Sequence, residues 1–62
     1  MAWVCVDKDR SEWIFNFEPI KATNHWEPTG GQCISFPKGS IKKLIGRELK
    51  WEDNPVELKE NE

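Results

Sequence analysis

Three stretches of the chain alternate apolar and polar residues with a period of two, and that pattern predicts an antiparallel sheet. Residues 2–6, Ala-Trp-Val-Cys-Val, are aromatic and β-branched and read as a strand. Over 12–18, Trp13, Phe15 and Phe17 point one way and Glu12, Asn16 and Glu18 the other. Ile14 interrupts the polar side, so that side is expected to be partly covered as well. The polar run 7–11 joins the two strands as a turn, giving a β-hairpin. Pro19 has no ladder donor and is expected to end the second strand. Residues 32–36 alternate again, with Ile34 and Phe36 opposite Cys33 and Ser35. A short strand over 24–27, the Pro28-Thr29-Gly30-Gly31 turn and 32–36 then predict a second hairpin.

Beyond Pro37-Lys38-Gly39 the period changes. Ile41, Leu44 and Ile45 fall at i, i+3 and i+4 and share one face of a short helix. Ser40 stands at its N-cap and Gly46 at a left-handed stop. So short a helix does not persist alone and must dock on the sheet. Residues 48–51 and 55–58 are each expected to be extended, with a turn at Asp53-Asn54-Pro55, and 59–62 to fray. The pattern as a whole predicts one α+β domain over 1–58. It has a small antiparallel sheet of three to five short strands, with two hairpins, and one short helix near 40–46. A small SH3-like β-barrel is the alternative.

A chain of 62 residues buries too little surface to be comfortably stable, so its densest contacts matter most. Trp3, Trp13, Trp26 and Trp51, joined by Phe15, Phe17 and Phe36, supply them; each indole can bury roughly 150–250 Å². The indoles are expected to fasten the sheet to its helical turn and to leave no pocket for chemistry. A core this small is also open to completion by a second copy. Cys5 and Cys33 lie in apolar alternating runs and read as buried free thiols, far from a disulfide framework. The opening apolar run is too short for a secretory leader, and nothing approaches the ~20 apolar residues of a membrane span. A cytoplasmic protein is expected.

The net charge of −2 conceals an uneven distribution. Lys38, Lys42, Lys43, Arg47 and Lys50 face only Glu48 within 38–50, whereas Lys59 stands against Glu52, Asp53, Glu57, Glu60 and Glu62 in 51–62. Lysines in the first turn of a helix oppose its dipole. That conflict is relieved either by a bound anion or by nearby Glu side chains. Lys38, Lys42, Lys43, Arg47 and Lys50 are therefore the candidate anion- or nucleic-acid-binding set. An acidic pI of about 5.4 and a core that needs the aromatics weigh against nucleic acid.

Other chemistry is thinner. Asp7, Asp9, Ser11 and Glu18 fall at positions 1, 3, 5 and 12 of an EF-hand-like spacing. Glu12, however, occupies the required glycine position, and the flanks are strand-like, so a polar hairpin tip is the preferred reading. His25, Cys5 and Cys33 lack the close pairs of a zinc site. No carboxylate pair stands out as acid and base, so neither catalysis nor a cofactor is expected. Trp26 and Trp51 are candidate interface anchors, and a sheet edge can add a partner strand. The residues point to a non-enzymatic protein-binding role, a homodimer included, with nucleic-acid binding through 38–50 as the alternative.

The run PKGSIKKLIGRELKWEDNPVEL at 37–58, with WVCVDKDRSEWIFN at 3–16, resembles a group of very short uncharacterised proteins encoded by bacteriophages and prophages of gut bacteria. The resemblance covers both ends of the chain and is weak through 19–31. It implies a small accessory protein that works in host cytoplasm by binding other macromolecules. It attaches no activity to particular residues.

Overall fold

A computed structural model describes residues 2–59. The predicted first hairpin is present: β1 (Ala2–Val6) pairs antiparallel with β2 (Glu12–Phe15), Trp3 opposite Phe15 and Val6 opposite Glu12. Its turn closes through Asp7 N–H to the Ser11 carbonyl at 3.0 Å and Arg10 N–H to the Asp7 carbonyl at 2.9 Å. Arg10 takes the left-handed conformation, φ 74°, that such a turn requires. The Asp9 carboxylate accepts the Ser11 hydroxyl at 2.6 Å and its N–H at 3.0 Å. These bonds hold the Asp9 carboxyl below its usual range. Asp9 and Ser11 of the calcium-like spacing are thus spent on the turn itself, and Asp7 Oδ1 accepts the Trp26 N–H at 2.9 Å.

The strand does not run on to Glu18. It stops at Phe15: Asn16 still donates its N–H to the Gln32 carbonyl, but the Gln32 N–H donates to the Asn16 side-chain oxygen at 2.8 Å, which breaks the reciprocal ladder. Gly31 sits so close to the Asn16 amide that a Cβ there would overlap it. Phe17, expected on the inner face, is left 54% exposed.

The second hairpin is corrected. β4 (Trp26–Glu27) pairs with β3 (Ile20–Lys21) as a separate two-stranded ribbon, while β5 (Cys33–Phe36) pairs with β2. Closing the chain through Pro28-Thr29-Gly30-Gly31 does not require the flanking strands to pair. The better partner for β5 is β2, whose backbone offers a ladder of four residue pairs. β6 (Val56–Leu58) pairs with the far side of β1. The main sheet therefore runs β5-β2-β1-β6, open at both sides and antiparallel throughout, so the barrel alternative is excluded. Residues 48–51 form no strand. Of the expected frayed tail only Lys59 is described; 60–62 lie outside the described residues.

Each face of the sheet buries a different chemistry. On one, Val4, Val6, Ile14, Phe36, Val56 and Leu58 meet Ile41 and Ile45 of the helix α1 (Ser40–Ile45) and Leu49 beyond it. On the other, Cys5 and Phe15 meet Trp26, with Trp3, Trp13, Cys33 and Trp51 around them. All four indoles thus gather on the face away from the helix. The expectation that they fasten sheet to helix is corrected: aliphatic side chains do that, and the indoles hold the β3–β4 ribbon. Even residues of β1 and β2 face the helix and odd residues face the ribbon, as strand alternation demands.

Two details of the helix also differ from expectation. Ser40 lies inside it; the N-cap is Gly39, φ 93°, with no side-chain cap of its own. Leu44, expected on the buried face, is 52% exposed, because a six-residue helix lying on the sheet presents chiefly Ile41 and Ile45 to it. Gly46 is the left-handed stop as expected, φ 82°, its N–H donating to the Lys42 carbonyl at 2.8 Å.

Candidate functional site

The lysine conflict expected at the helix start is corrected: Lys42 and Lys43 fall in the last turn of the six-residue helix, where a cation suits the dipole, and the helix start receives its own carboxylate. Glu12, on the helix-facing side of β2, accepts Gly39 N–H at 2.8 Å and Ile41 N–H at 2.9 Å. A carboxylate held against unpaired N–H groups is the charge a helix N-terminus favours. The place reserved in the sequence for an external anion is therefore filled by the protein.

The basic set does not act as one patch. A groove of about 800 Å³ between the hairpin tip, the start of the helix and 48–52 is lined by Lys38, Lys42 and Lys50, but also by Lys8 and Arg10. Lys43 and Arg47 are exposed and lie outside it. Asp7, Glu12, Glu48 and Glu52 stand in the same walls, nearly balancing the five cations. Among the described residues the one contact of ion-pair length is His25 Nε2 with Glu27 at 3.6 Å, and it lies outside the groove, so the groove's lysines, all exposed, stay solvated.

The expected interface tryptophans part company. Trp26 is 8% exposed, donates its indole N–H to the Val6 carbonyl at 3.0 Å and its backbone N–H to the Asp7 carboxylate at 2.9 Å. It is a core residue, which corrects its assignment as an anchor. Trp51 meets it edge to face, ring centroids 5.8 Å apart, and is half-buried. Lys21 lies 4.2 Å above the Trp51 ring and donates to the Trp51 carbonyl at 3.1 Å, so the accessible indole already has a cation on it. Cys5 is buried in this cluster, and Cys33 is half-buried beside it; both are free. Burial, with help from Asp7 and Cys33, pushes the Cys5 thiol up to about 12. His25 is well exposed and bonded to Asn24, away from both thiols' apolar surroundings. No group of three metal-ligating side chains occurs among the described residues.

What residue chemistry alone did not single out is the outer edge of β5. The bond from Asn16 N–H to the Gln32 carbonyl sets the phase of the ladder, making Ile14–Ile34 and Glu12–Phe36 the hydrogen-bonded pairs. Cys33 and Ser35 then turn their N–H and C=O outward, and no other strand pairs with them among the described residues. Ile34 is 65% exposed, the most of any large apolar side chain among the described residues. The chain from 28 to 37 contains no charged residue, in a protein that is 32% charged. Natural edges are blunted by charge or proline. Prolines bound both edges, Pro37 beside β5 and Pro55 beside β6, but only β6 bears charge, carrying Glu57 and followed by Lys59. The uncharged run is the available signal, and alternation hides it because the turn at 28–31 offers 32–36 a nearer partner in 24–27.

No family model, curated protein or solved structure matches the chain.

Proposed function

We propose that the protein is a non-enzymatic interaction module that binds another protein chain by adding a strand to the free edge of β5. The observation that carries this reading is the contrast in charge between the two edges of one sheet: each is bounded by a proline, Pro37 beside β5 and Pro55 beside β6, but β6 carries Glu57 and is followed by Lys59, whereas β5 carries no charge. Strand addition takes its affinity from backbone bonds and its selectivity from alternate side chains. Here the Cys33 and Ser35 backbones supply the first and Ile34 the second. The resemblance to short phage and prophage proteins supports the same reading, a small accessory factor at work in host cytoplasm. A photo-crosslinking residue in place of exposed Gln32 tests it. A discrete protein adduct is expected, lost when Ser35→Pro removes the outward N–H; no adduct, or one indifferent to that change, refutes the reading.

The groove favours a second reading, binding of a nucleic-acid phosphate by Lys8, Arg10, Lys38, Lys42 and Lys50. Its four carboxylates lower the potential there, so this reading stands behind the first. Phosphate contacts make affinity fall steeply with salt. The expected outcome is a salt-sensitive mobility shift of DNA or RNA that Lys38→Glu with Lys42→Glu abolishes; no shift by the unaltered protein eliminates it.

A further inference from the structure

Resting on the reading of β5 as a docking edge, we infer that the occupant is a second copy of this chain, joined β5 to β5 about a two-fold axis at Ile34. An antiparallel partner must match outward N–H and C=O groups with its own. The strand does this with itself when Cys33 lies opposite the partner copy's Ser35 and Ser35 opposite its Cys33, each pair exchanging both backbone bonds. In that register Ile34 falls opposite Ile34 as a non-hydrogen-bonded pair, the kind in which side chains approach closest. The most exposed large apolar side chain among the described residues is then covered by its own symmetry mate. A shift of two residues in either direction leaves only one reciprocal pair within the strands, Ser35 with Ser35 or Cys33 with Cys33, and separates the two isoleucines.

Charge permits the same arrangement. Two identical edges bring together every charge they carry, and like charges placed directly opposite destabilise a strand pair. The 28–37 run has none, and the net charge of −2 leaves little long-range repulsion between copies. Phe17, 54% exposed and lying against Gly31, extends the apolar strip at the end of the edge, towards Pro37 of the second copy. The product is a continuous sheet across both copies, with the two helices on one face and the indole clusters on the other. A contact of one short strand is smaller than the ~1,200 Å² at which stable complexes begin, so the dimer is expected to be reversible.

Sedimentation equilibrium of the full chain from ~10 µM to ~1 mM, a span that brackets weak association, tests the inference. The mass is expected to rise from 7.3 kDa towards twice that value, while Ile34→Lys and, independently, Ser35→Pro remain monomeric across the range. Ile34 is mostly exposed, so its replacement leaves the far-ultraviolet spectrum and melting temperature of the dilute protein unchanged. Hydrogen exchange reads the register: the Cys33 and Ser35 amides gain protection with concentration, and those of β6 do not. A protein monomeric throughout, or a dimer that survives both substitutions, overturns the inference. If the Gln32 crosslinker still captures a different protein in a Ser35-dependent way, self-pairing fails alone and the docking edge stands; if it captures nothing, both fail.

Discussion

Glu12 Oε1 lies 2.9 Å from the backbone nitrogen of Ile41, so a side chain of the second strand caps a helix 29 residues further along the chain. With the companion bond to Gly39, this contact ties the helix to the sheet at its start, while Ile41 ties it by burial. Glu12→Ala leaves both donors without a protein acceptor and is expected to cost about 1–2 kcal/mol, the scale of a lost N-cap. Glu12→Gln, with one acceptor oxygen, is expected to lose roughly half of that. Urea unfolding of the three proteins checks the order; equal midpoints would show that the contact contributes nothing.

Asp7 and Trp26 form the corresponding tie on the other face. Asp7 Oδ1 takes the buried Trp26 N–H, and the Trp26 indole donates to the Val6 carbonyl. Asp7→Ala strands a buried donor and is expected to destabilise by about 1–3 kcal/mol, with Asp7→Asn losing much less. Trp26→Phe keeps most of the apolar contact but leaves the Val6 carbonyl unpaired, with a loss on the same ~1–3 kcal/mol scale. Thermal unfolding followed by tryptophan fluorescence measures all three.

Cys5 carries a pH signature. Burial raises its pKa from 9.0 to about 12, so the folded state holds the thiol proton more tightly than the unfolded chain does. The associated stability is complete below pH 9.0 and is lost as pH rises from 9.0 towards 12. The limiting slope is about 1.4 kcal/mol per pH unit, and Cys5→Ala removes that component of the pH dependence. At neutral pH a thiol reagent is expected to label Cys33 in the native protein and Cys5 only at the rate of opening. Equal labelling rates would contradict the buried assignment.

Arg10 holds a left-handed backbone conformation at the tip of the first hairpin, φ 74°, where a non-glycine residue bears a conformational cost. Arg10→Gly is expected to stabilise the protein by about 0.5–1 kcal/mol, the relief of strain being partly offset by glycine's greater unfolded-state freedom. A melting temperature unchanged or lowered would place the strain elsewhere. The substitution also removes one groove cation, so any nucleic-acid shift should weaken with it.

Local pattern made the first hairpin legible, because Trp13 and Phe15 alternate beside a β-rich run and a polar turn of fixed length leaves one register. The helix and its Gly46 stop were legible for a similar reason, since spacing and a left-handed glycine act over a few residues. The β3–β4 ribbon was not, because two-residue strands carry no period. The candidate basic set was divided for a spatial reason: proximity in sequence joined Lys43 and Arg47 to Lys38, whereas the fold brings Lys38, Lys42 and Lys50 together with Lys8 and Arg10.

What the sequence determined by itself was composition of faces: even positions of the first hairpin aliphatic or acidic, odd positions aromatic or thiol. Which layer each face would receive was decided only in three dimensions, by whether Ile41 or Trp26 reached it. Edge identity belongs to the same class. Whether 33–36 ends up sheltered or open depends on where β2 and β6 find their partners, and strand pairing is a long-range choice that no short window of residues encodes.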